Sequence, residues 1–362
     1  MSFLGKGAYG SVQKRGKYAV KKFHKTSHLI QEYAAYRYLS GVDNICQCYK
    51  VDFDTLEIYM EAHCMDMRDW LTNGHKLKEL YARISDKNKM TILRDILRAL
   101  VYLHSRNLVH GDLKPSNILI DINTQYKTVQ GILGDLGFVS LDKYAKVDRT
   151  AELYRDIEIH HNKSHDIYSL GIIMLELFGD VKLKRQPTSY KELHEMMSTK
   201  IKNGQMAKLV ISMTNSDYTK RPEAEYILKE IFKDEKIPSV EYPDYDTLID
   251  APGLDPSVKK KIYSWVKVTA DEEKLNRGKR GYYALLKFFS KNPEITDYKL
   301  YTCSMFVILS SVFGESNTYA TNDALEMCAN HGKYNRTDAI NAMADLLNDD
   351  DVIQILLTPS TN

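Results

Sequence analysis

The sequence lacks any long hydrophobic run. Its longest apolar stretches, such as LGIIMLELF (170–178) and MFVILSSVF (305–313), fall short of the roughly 20 residues a membrane-spanning helix needs. The N-terminus, MSFLGKGAYG, holds no apolar core of signal-peptide length. Cysteine is sparse and odd in number: Cys46, Cys48, Cys64, Cys303 and Cys328 fit neither a zinc site nor a CxxC redox pair. Reduced thiols in an intracellular protein are the expected reading. Net charge is nearly absent as well. Lys plus Arg number 50 against 48 Asp plus Glu, a formal +2, which excludes a chain-wide basic surface for nucleic acid or anionic lipid. The short basic runs KKK (259–261) and RGKR (277–280) are explained by a solvated helix face. These absences predict a soluble protein of cytoplasm or nucleus, with no nucleic-acid and no membrane partner.

What is present is a chain of 362 residues, 43 % apolar and 27 % charged, enough for two or three compact units with a sizeable core. Up to Glu61 it reads as short strands and one helix. SVQKRGKYAVKKF has strand-like runs broken at Gly16, a hairpin pattern, and LIQEYAAYRYL carries apolar residues at helical spacing. Between Lys89 and His104, Leu93, Ile96, Leu97, Leu100 and Val101 recur at steps of three and four, which predicts an amphipathic helix. DIYSLGIIMLELF (166–178) is apolar nearly all round and predicts a helix buried in a core. Proline is scarce, yet four of the nine fall at 238, 243, 252 and 256, so residues 234–256 read as an extended linker. Helical patterns follow at about 257–268, 279–291, 297–313, 320–331, 336–347 and 350–357.

Several short motifs carry chemistry. GKGAYGSV supplies Gly5, Gly7, Gly10 and Val12 in a GxGxxGxV pattern, which lets backbone approach phosphate oxygens; a ligand-free glycine hairpin looks the same. YAVKKF follows and places Ala19 and Lys21 on a strand, and Glu32 lies on the next helix. Singly, such a Lys or Glu is a solvated surface charge; in this order behind a glycine loop they read as a phosphate-holding lysine and its orienting acid. VHGDLKPSNILI presents Asp112 as an acceptor for a hydroxyl proton, Lys114 two residues on, and Asn117 five residues on. GDLGF presents Asp135, and the amide and carboxylate oxygens of Asn117 and Asp135 suit a hard divalent cation.

From residue 1 to about 233 the chain resembles eukaryotic-type protein kinases, because six or more motifs occur in that family's order. The resemblance implies an α+β, two-lobed kinase fold: a small lobe of sheet plus helix (1–61) and a mainly helical lobe (66–233), followed by an all-α domain (257–357). It implies ATP and Mg²⁺ as cofactors, with Asn117 and Asp135 as metal ligands. It implies Asp112 as catalytic base and Lys114 and Lys21 as carriers of phosphate charge. In IYMEAHCMDMRDWL it implies that Glu61 to His63 offer backbone groups to adenine, that Met60 backs that pocket and that Asp66 reaches the ribose; a strand end and a polar turn would also account for the stretch. His110 is expected to pack and hydrogen-bond. LYRDIEI resembles the end of an activation segment, with Glu158 as the expected buried partner of Arg221 in KRPEAEYIL. Asp166 in DIYSLG is expected to hold the catalytic-loop backbone.

HGDL also occurs in aminoglycoside- and choline-type phosphotransferases, so a small-molecule kinase is the alternative enzyme reading. Lys114, the activation segment and Arg221 favour a protein substrate with serine/threonine acceptors. A kinase-fold scaffold is the non-enzyme reading, and it predicts loss of Lys21, Asp112, Asn117 or Asp135; all four are present. Gly111 stands where the family's arginine receives an activation-loop phosphate, so activity is expected to be independent of such a phosphate at Ser140, Tyr144 or Thr150.

The C-terminal helices resemble a cyclin box, which implies an intramolecular regulator binding the glutamate-bearing helix. KKKIYSWV with Trp265, YYALLKFFSK, KLYTCSMFVILSSVFGE and NRTDAINAMADLL carry the likeness, and TSHLIQE shares Ser27, Ile30 and Glu32 in register with the PSTAIRE helix. Val312 and Met343 replace that family's lysine–glutamate pair, Lys259 stands at its first-helix arginine, and no aspartate follows in the second helix.

Overall fold

A computed structural model describes residues 2–6, 9–141, 151–235, 254–266, 272–312 and 335–358. In chain order the strands are β1 (Ser2–Lys6), β2 (Gly10–Arg15), β3 (Tyr18–Phe23), β4 (Cys48–Asp52), β5 (Glu57–Glu61), β6 (Met65–Asp66), β7 (Leu108–Val109), β8 (Ile118–Asn123), β9 (Thr128–Leu133) and β10 (Ser140–Leu141). The helices are α1 (Thr26–Tyr38), α2 (Met67–Asn73), α3 (Asp86–Ser105), α4 (Lys163–Gly179), α5 (Tyr190–Lys200), α6 (Gly204–Met213) and α7 (Ala224–Ile231). After them come α8 (Pro256–Val266), α9 (Glu272–Lys291), α10 (Tyr298–Val312), α11 (Arg336–Asn348) and α12 (Asp350–Leu357). The helix expected at 320–331, most of the expected linker, Gly7, Tyr144 and Thr150 lie outside the described residues.

The chain forms two compact units. One joins Met1–Ser40, Gln47–Glu61 and Glu241–Asn362; the other joins Gly41–Cys46 and Ala62–Val240. The C-terminal helices therefore group with the N-terminal sheet.

In the first unit, five antiparallel strands run in the order β1-β2-β3-β5-β4. A two-residue turn at Gly16 and Lys17 closes the β2–β3 hairpin with Arg15 opposite Tyr18. Helix α1 packs on β3, β4 and β5, and also on α10, α11 and α12. Its sequence explains both contacts. Leu29, Ile30, Glu32, Tyr33, Ala34, Ala35, Tyr36 and Tyr38 are all buried, so apolar and aromatic groups leave the helix on every side. A helix of that kind needs cover on more than one face. The C-terminal helices have firm ends. Asn335 and Asp338 form a reciprocal cap at the start of α11, and Asp349 caps α12. Arg280 of α9 is buried and donates to the carbonyls of Ile355, Leu356 and Thr358, the groups the end of α12 leaves without helical partners.

In the second unit, α3 starts on a Ser85 cap and turns Ile92, Leu93, Ile96, Leu97, Leu100 and Val101 inward. It packs on β9 of the three-stranded sheet β6-β8-β9. Helix α4 is buried from His165 through Leu177, as its all-round apolar sequence predicts, and it packs on α5 and α6. The sheet with α1 and the mainly helical second unit fit the small and large lobes expected from the motifs.

Candidate active site

Lys21 sits on β3, with β2 and β5 on either side; Val12 and Ile58 are its cross-strand neighbours. Alternation along the strand puts Ala19 and Lys21 on one face and Val20 and Lys22 on the other. Glu32 comes from the second turn of α1, and Lys21 Nζ donates to its Oε2 at 2.7 Å with both side chains buried. A charge so enclosed is costly alone, so each holds the other in place. Gly10 is opposite Phe23, and a Cβ there would lie 2.1 Å from the Lys22 carbonyl oxygen, so glycine is needed for the β2–β3 approach itself. At Gly5, opposite Val12, a Cβ would meet open space. Met60 is buried, and its sulfur accepts from Tyr36 Oη of α1 at 3.0 Å.

Of the residues expected around adenine and ribose, Glu61 donates its N–H to the Gln47 carbonyl at 3.0 Å, so that N–H is not the group offered to a base. His63 lies just past β5, in the second unit. Asp66 caps α2, accepting from the Asp69 N–H at 2.8 Å, and burial raises its pKa. The sequence motif had given Asp66 a ligand role only; one of its oxygens also starts a helix.

The second unit assembles Asp112, Lys114 and Asn117. Asp112 Oδ2 accepts from Lys114 Nζ at 2.5 Å and from Asn117 Nδ2 at 3.1 Å. Asn117 Nδ2 also donates to the Asp112 carbonyl at 2.8 Å, which commits the amide nitrogen and leaves Oδ1 as the atom of that side chain that could hold a cation. Asp112 Oδ1 accepts from the Ala151 N–H at 3.2 Å, a contact no side-chain motif could announce. The Gly134 N–H donates to the Asn117 carbonyl at 2.8 Å, which ties the segment leading into Asp135 to this loop. Asp135 has φ 55°, ψ 71°, a left-handed conformation unusual for a residue with a side chain and common at functional sites.

His110 is structural, as expected. Its Nδ1 accepts from the Asp112 N–H at 3.3 Å, which leaves Nε2 to donate to the Gly134 carbonyl at 3.1 Å. Asp166 is fully buried and takes the N–H groups of His110 (2.8 Å) and Gly111 (2.9 Å) together with His104 Nε2 (2.9 Å). Burial alone raises this carboxyl, but His104 and the other donors outweigh it, so its pKa is lowered. Gly111 has φ +80°, and a Cβ there would press on Phe138 at 3.2–3.3 Å.

One expectation fails. Arg221 pairs with Asp156, not Glu158: Nη1 meets Asp156 Oδ2 at 2.6 Å with both side chains fully buried, while Glu158 is exposed. Tyr190 Oη adds a hydrogen bond to Asp156 at 2.8 Å. The segment turns into the core at Asp156, and sequence alone offers two acids, two residues apart, with no signal between them. A second set also escaped the motifs. Arg68 of α2 forks onto Glu176 of α4, and the Tyr154 hydroxyl bonds to both. Burial raises the Glu176 carboxyl and Arg68 opposes that shift. This set fixes the chain just before Asp156 on the helix that carries Asp166.

Lys21 and Glu32 thus belong to the first unit, and Asp112, Lys114, Asn117 and Asp135 to the second. The protein kinase domain model matches residues 1–233, and the chain belongs to the protein kinase family. It is 32 % identical over 204 residues to mitogen-activated protein kinase p38b of Drosophila melanogaster, covering 48 % of this chain and 52 % of that one. It is 28 % identical over 246 residues to the membrane-associated tyrosine- and threonine-specific cdc2-inhibitory kinase of the same species, 62 % of this chain and 45 % of that one. To serine/threonine-protein kinase atg1 of Dictyostelium discoideum it is 25 % identical over 193 residues, 49 % and 28 % of the two chains. The chain spans about half the length, or less, of the curated relatives it matches here. No helix among the described residues is long and apolar enough to cross a membrane.

Proposed function

We propose that the protein is an ATP- and Mg²⁺-dependent serine/threonine protein kinase that transfers the γ-phosphate of ATP to protein hydroxyls. The observation that carries this reading is the Lys114–Asp112–Asn117 cluster. One carboxylate is oriented by an amide and paired with a lysine, a combination suited to accepting a hydroxyl proton beside a negatively charged phosphoryl group. The donor set fits the cation: the Asn117 amide oxygen and the Asp135 carboxylate are hard oxygen ligands, and Asn117 is already turned so that its nitrogen faces Asp112. Bound Mg²⁺–ATP supplies the transferable phosphoryl and neutralises its charge. Asp112 takes the acceptor's proton, Lys114 balances charge on the moving phosphoryl, and Lys21, held by Glu32, holds the α- and β-phosphates. Glu61, His63 and Asp66 are the proposed contacts to the nucleoside, and Gly5, Gly7, Gly10, Val12 and Ala19 the further proposed cofactor contacts.

We further propose that no activation-loop phosphate is required and that the C-terminal helices act as a resident, cyclin-like regulator. Gly111 has no side chain to receive a phosphate, and Ser140 is itself buried. Supporting the regulator, α1 packs on α10, α11 and α12, and Val312 and Met343 are both buried, keeping an apolar contact surface where a charged pair would have stood.

The test is a phosphotransfer assay of wild type and Asp112→Asn on a peptide library, with aminoglycosides and choline as competing acceptors. Labelled Ser/Thr peptides in wild type alone are expected, and labelled small molecules would point to the alternative phosphotransferase. ATP binding with no transfer would point to a scaffold. Activity that vanishes when Ser140, Tyr144 and Thr150 are replaced in a folded protein would refute independence from loop phosphate.

A further inference from the structure

Helix α1 is gripped at particular residues. Tyr33, next to Glu32, donates its hydroxyl to Asn348 Oδ1 at 2.6 Å. Arg37, one turn on, donates to the Asn348 carbonyl at 3.1 Å and to Asp350 Oδ1 at 2.5 Å. Tyr38 and Thr358 share a hydrogen bond of 3.3 Å between their hydroxyls. Asn348 ends α11 and Asp350 opens α12, so the first three bonds converge on one helix junction.

That junction is anchored in turn. Lys291 of α9 pairs with Asp349 and Asp351, each at 3.1 Å, and Arg280 holds the far end of α12. The grip continues inward. On the same helix Glu32 holds Lys21, and Tyr36 holds the Met60 sulfur. Burial pushes the Tyr33 hydroxyl up to about 12, so it remains a donor at neutral pH.

We infer that Asn348 and Asp350 are positioning residues for phosphate transfer: they fix α1 from the far end of the sequence so that Glu32 stays on Lys21. The inference rests on the kinase reading for its effect on activity, and on the hydrogen bonds alone for its effect on α1. Both residues sit at exposed positions, the Asp350 side chain 82 % so, and their acceptor groups meet α1. A core residue would act through packing; these act through direction.

The experiment uses the full chain with the double variant Asn348→Leu/Asp350→Ala. Asn348→Asp, which keeps the acceptor for Tyr33, is the control. The readouts are ATP affinity, kcat/KM on the best library peptide, melting temperature, and amide hydrogen exchange of residues 26–38. Loss of these partly exposed bonds is expected to weaken ATP binding and kcat/KM by about tenfold and to speed exchange in α1, with Asn348→Asp within about twofold of wild type. The reversed pair Arg37→Asp/Asp350→Arg is expected to recover activity lost in either single change. Wild-type exchange and ATP binding in the double variant would overturn the inference, as would a reversed pair no better than its single members. Should wild type transfer no phosphate, the kinase reading fails by itself, and exchange with ATP binding still decides the role of Asn348 and Asp350.

Discussion

Replacing His165 with leucine is expected to make the protein less sensitive to acid without harming it at neutral pH. His165 lies in the first turn of α4, 1 % exposed, and both ring nitrogens lack a hydrogen-bond partner among the described residues. Burial lowers its pKa from 6.5 to about 4; Asp166, Asp156 and Asp112 pull it upward and Arg221 adds to the lowering, and burial prevails. Above pH 6.5 the ring is neutral whether the chain is folded or not. Below it the unfolded chain takes up a proton that the native state refuses, so stability falls through the window from 6.5 to about 4 and falls no further beneath it. With those two values the loss at pH 5 is about 2 kcal/mol, and across the whole window about 3 kcal/mol. His165→Leu removes the proton site and two unsatisfied polar atoms while keeping bulk, so stability at pH 7.5 should be unchanged or higher. Urea unfolding of both proteins at pH 7.5, 6 and 5 measures this: the wild type should lose about 2 kcal/mol more than the variant by pH 5. Equal losses would mean that the ring is charged, or partnered, in the native state, and the reasoning from burial would be refuted.

Asp156→Ala should destabilise the protein by about 3–5 kcal/mol, because it strands a fully buried guanidinium, whereas Glu158→Gln should stay within about 0.5 kcal/mol. Denaturant midpoints of the two variants separate the assignments, and a reversed order would restore Glu158 as the partner. Gly111→Ala should cost about 1–2 kcal/mol, since φ +80° suits glycine and the new methyl meets Phe138. A variant as stable and active as wild type would show that the loop relaxes freely there.

Sequence order made much of the candidate site legible. Lys21, Glu32, Asp112, Lys114 and Asn117 lie in motifs whose spacing is set by a strand, a helix turn and a short loop, so local geometry carries the information. The helix 166–178 was legible for a related reason: a segment apolar on every side has few solutions other than burial. What the sequence did not show depends on distance. Asp156 and Glu158 differ by two residues, and only the path of the chain decides which turns inward to Arg221. Arg68, Tyr154 and Glu176 are ordinary polar residues until α2 and α4 bring them together. Ala151 contributes a backbone N–H, and no side-chain pattern encodes that. The prolines at 234–256 suggested a boundary after which a separate domain begins. The helices beyond it join the N-terminal unit instead, because α1 has too many apolar faces for one sheet to cover.

That unit is built from the two extremes of the chain, and its Tyr33–Asn348 bond spans 315 positions. Contacts so remote close late, after the loop entropy between them has been overcome. During synthesis the residues of the second unit, complete by Val240, emerge well before Asn348 does. The loop carrying Asp112, Lys114 and Asn117 can therefore form while the bonds from Asn348 and Asp350 to α1 are still missing. A chain halted before Asn348 would hold the second unit's residues without the hydrogen bonds that fix Tyr33 and Arg37 of α1. Under the proposed grip on α1, steady pairing of Glu32 with Lys21 waits until synthesis has passed Asp350.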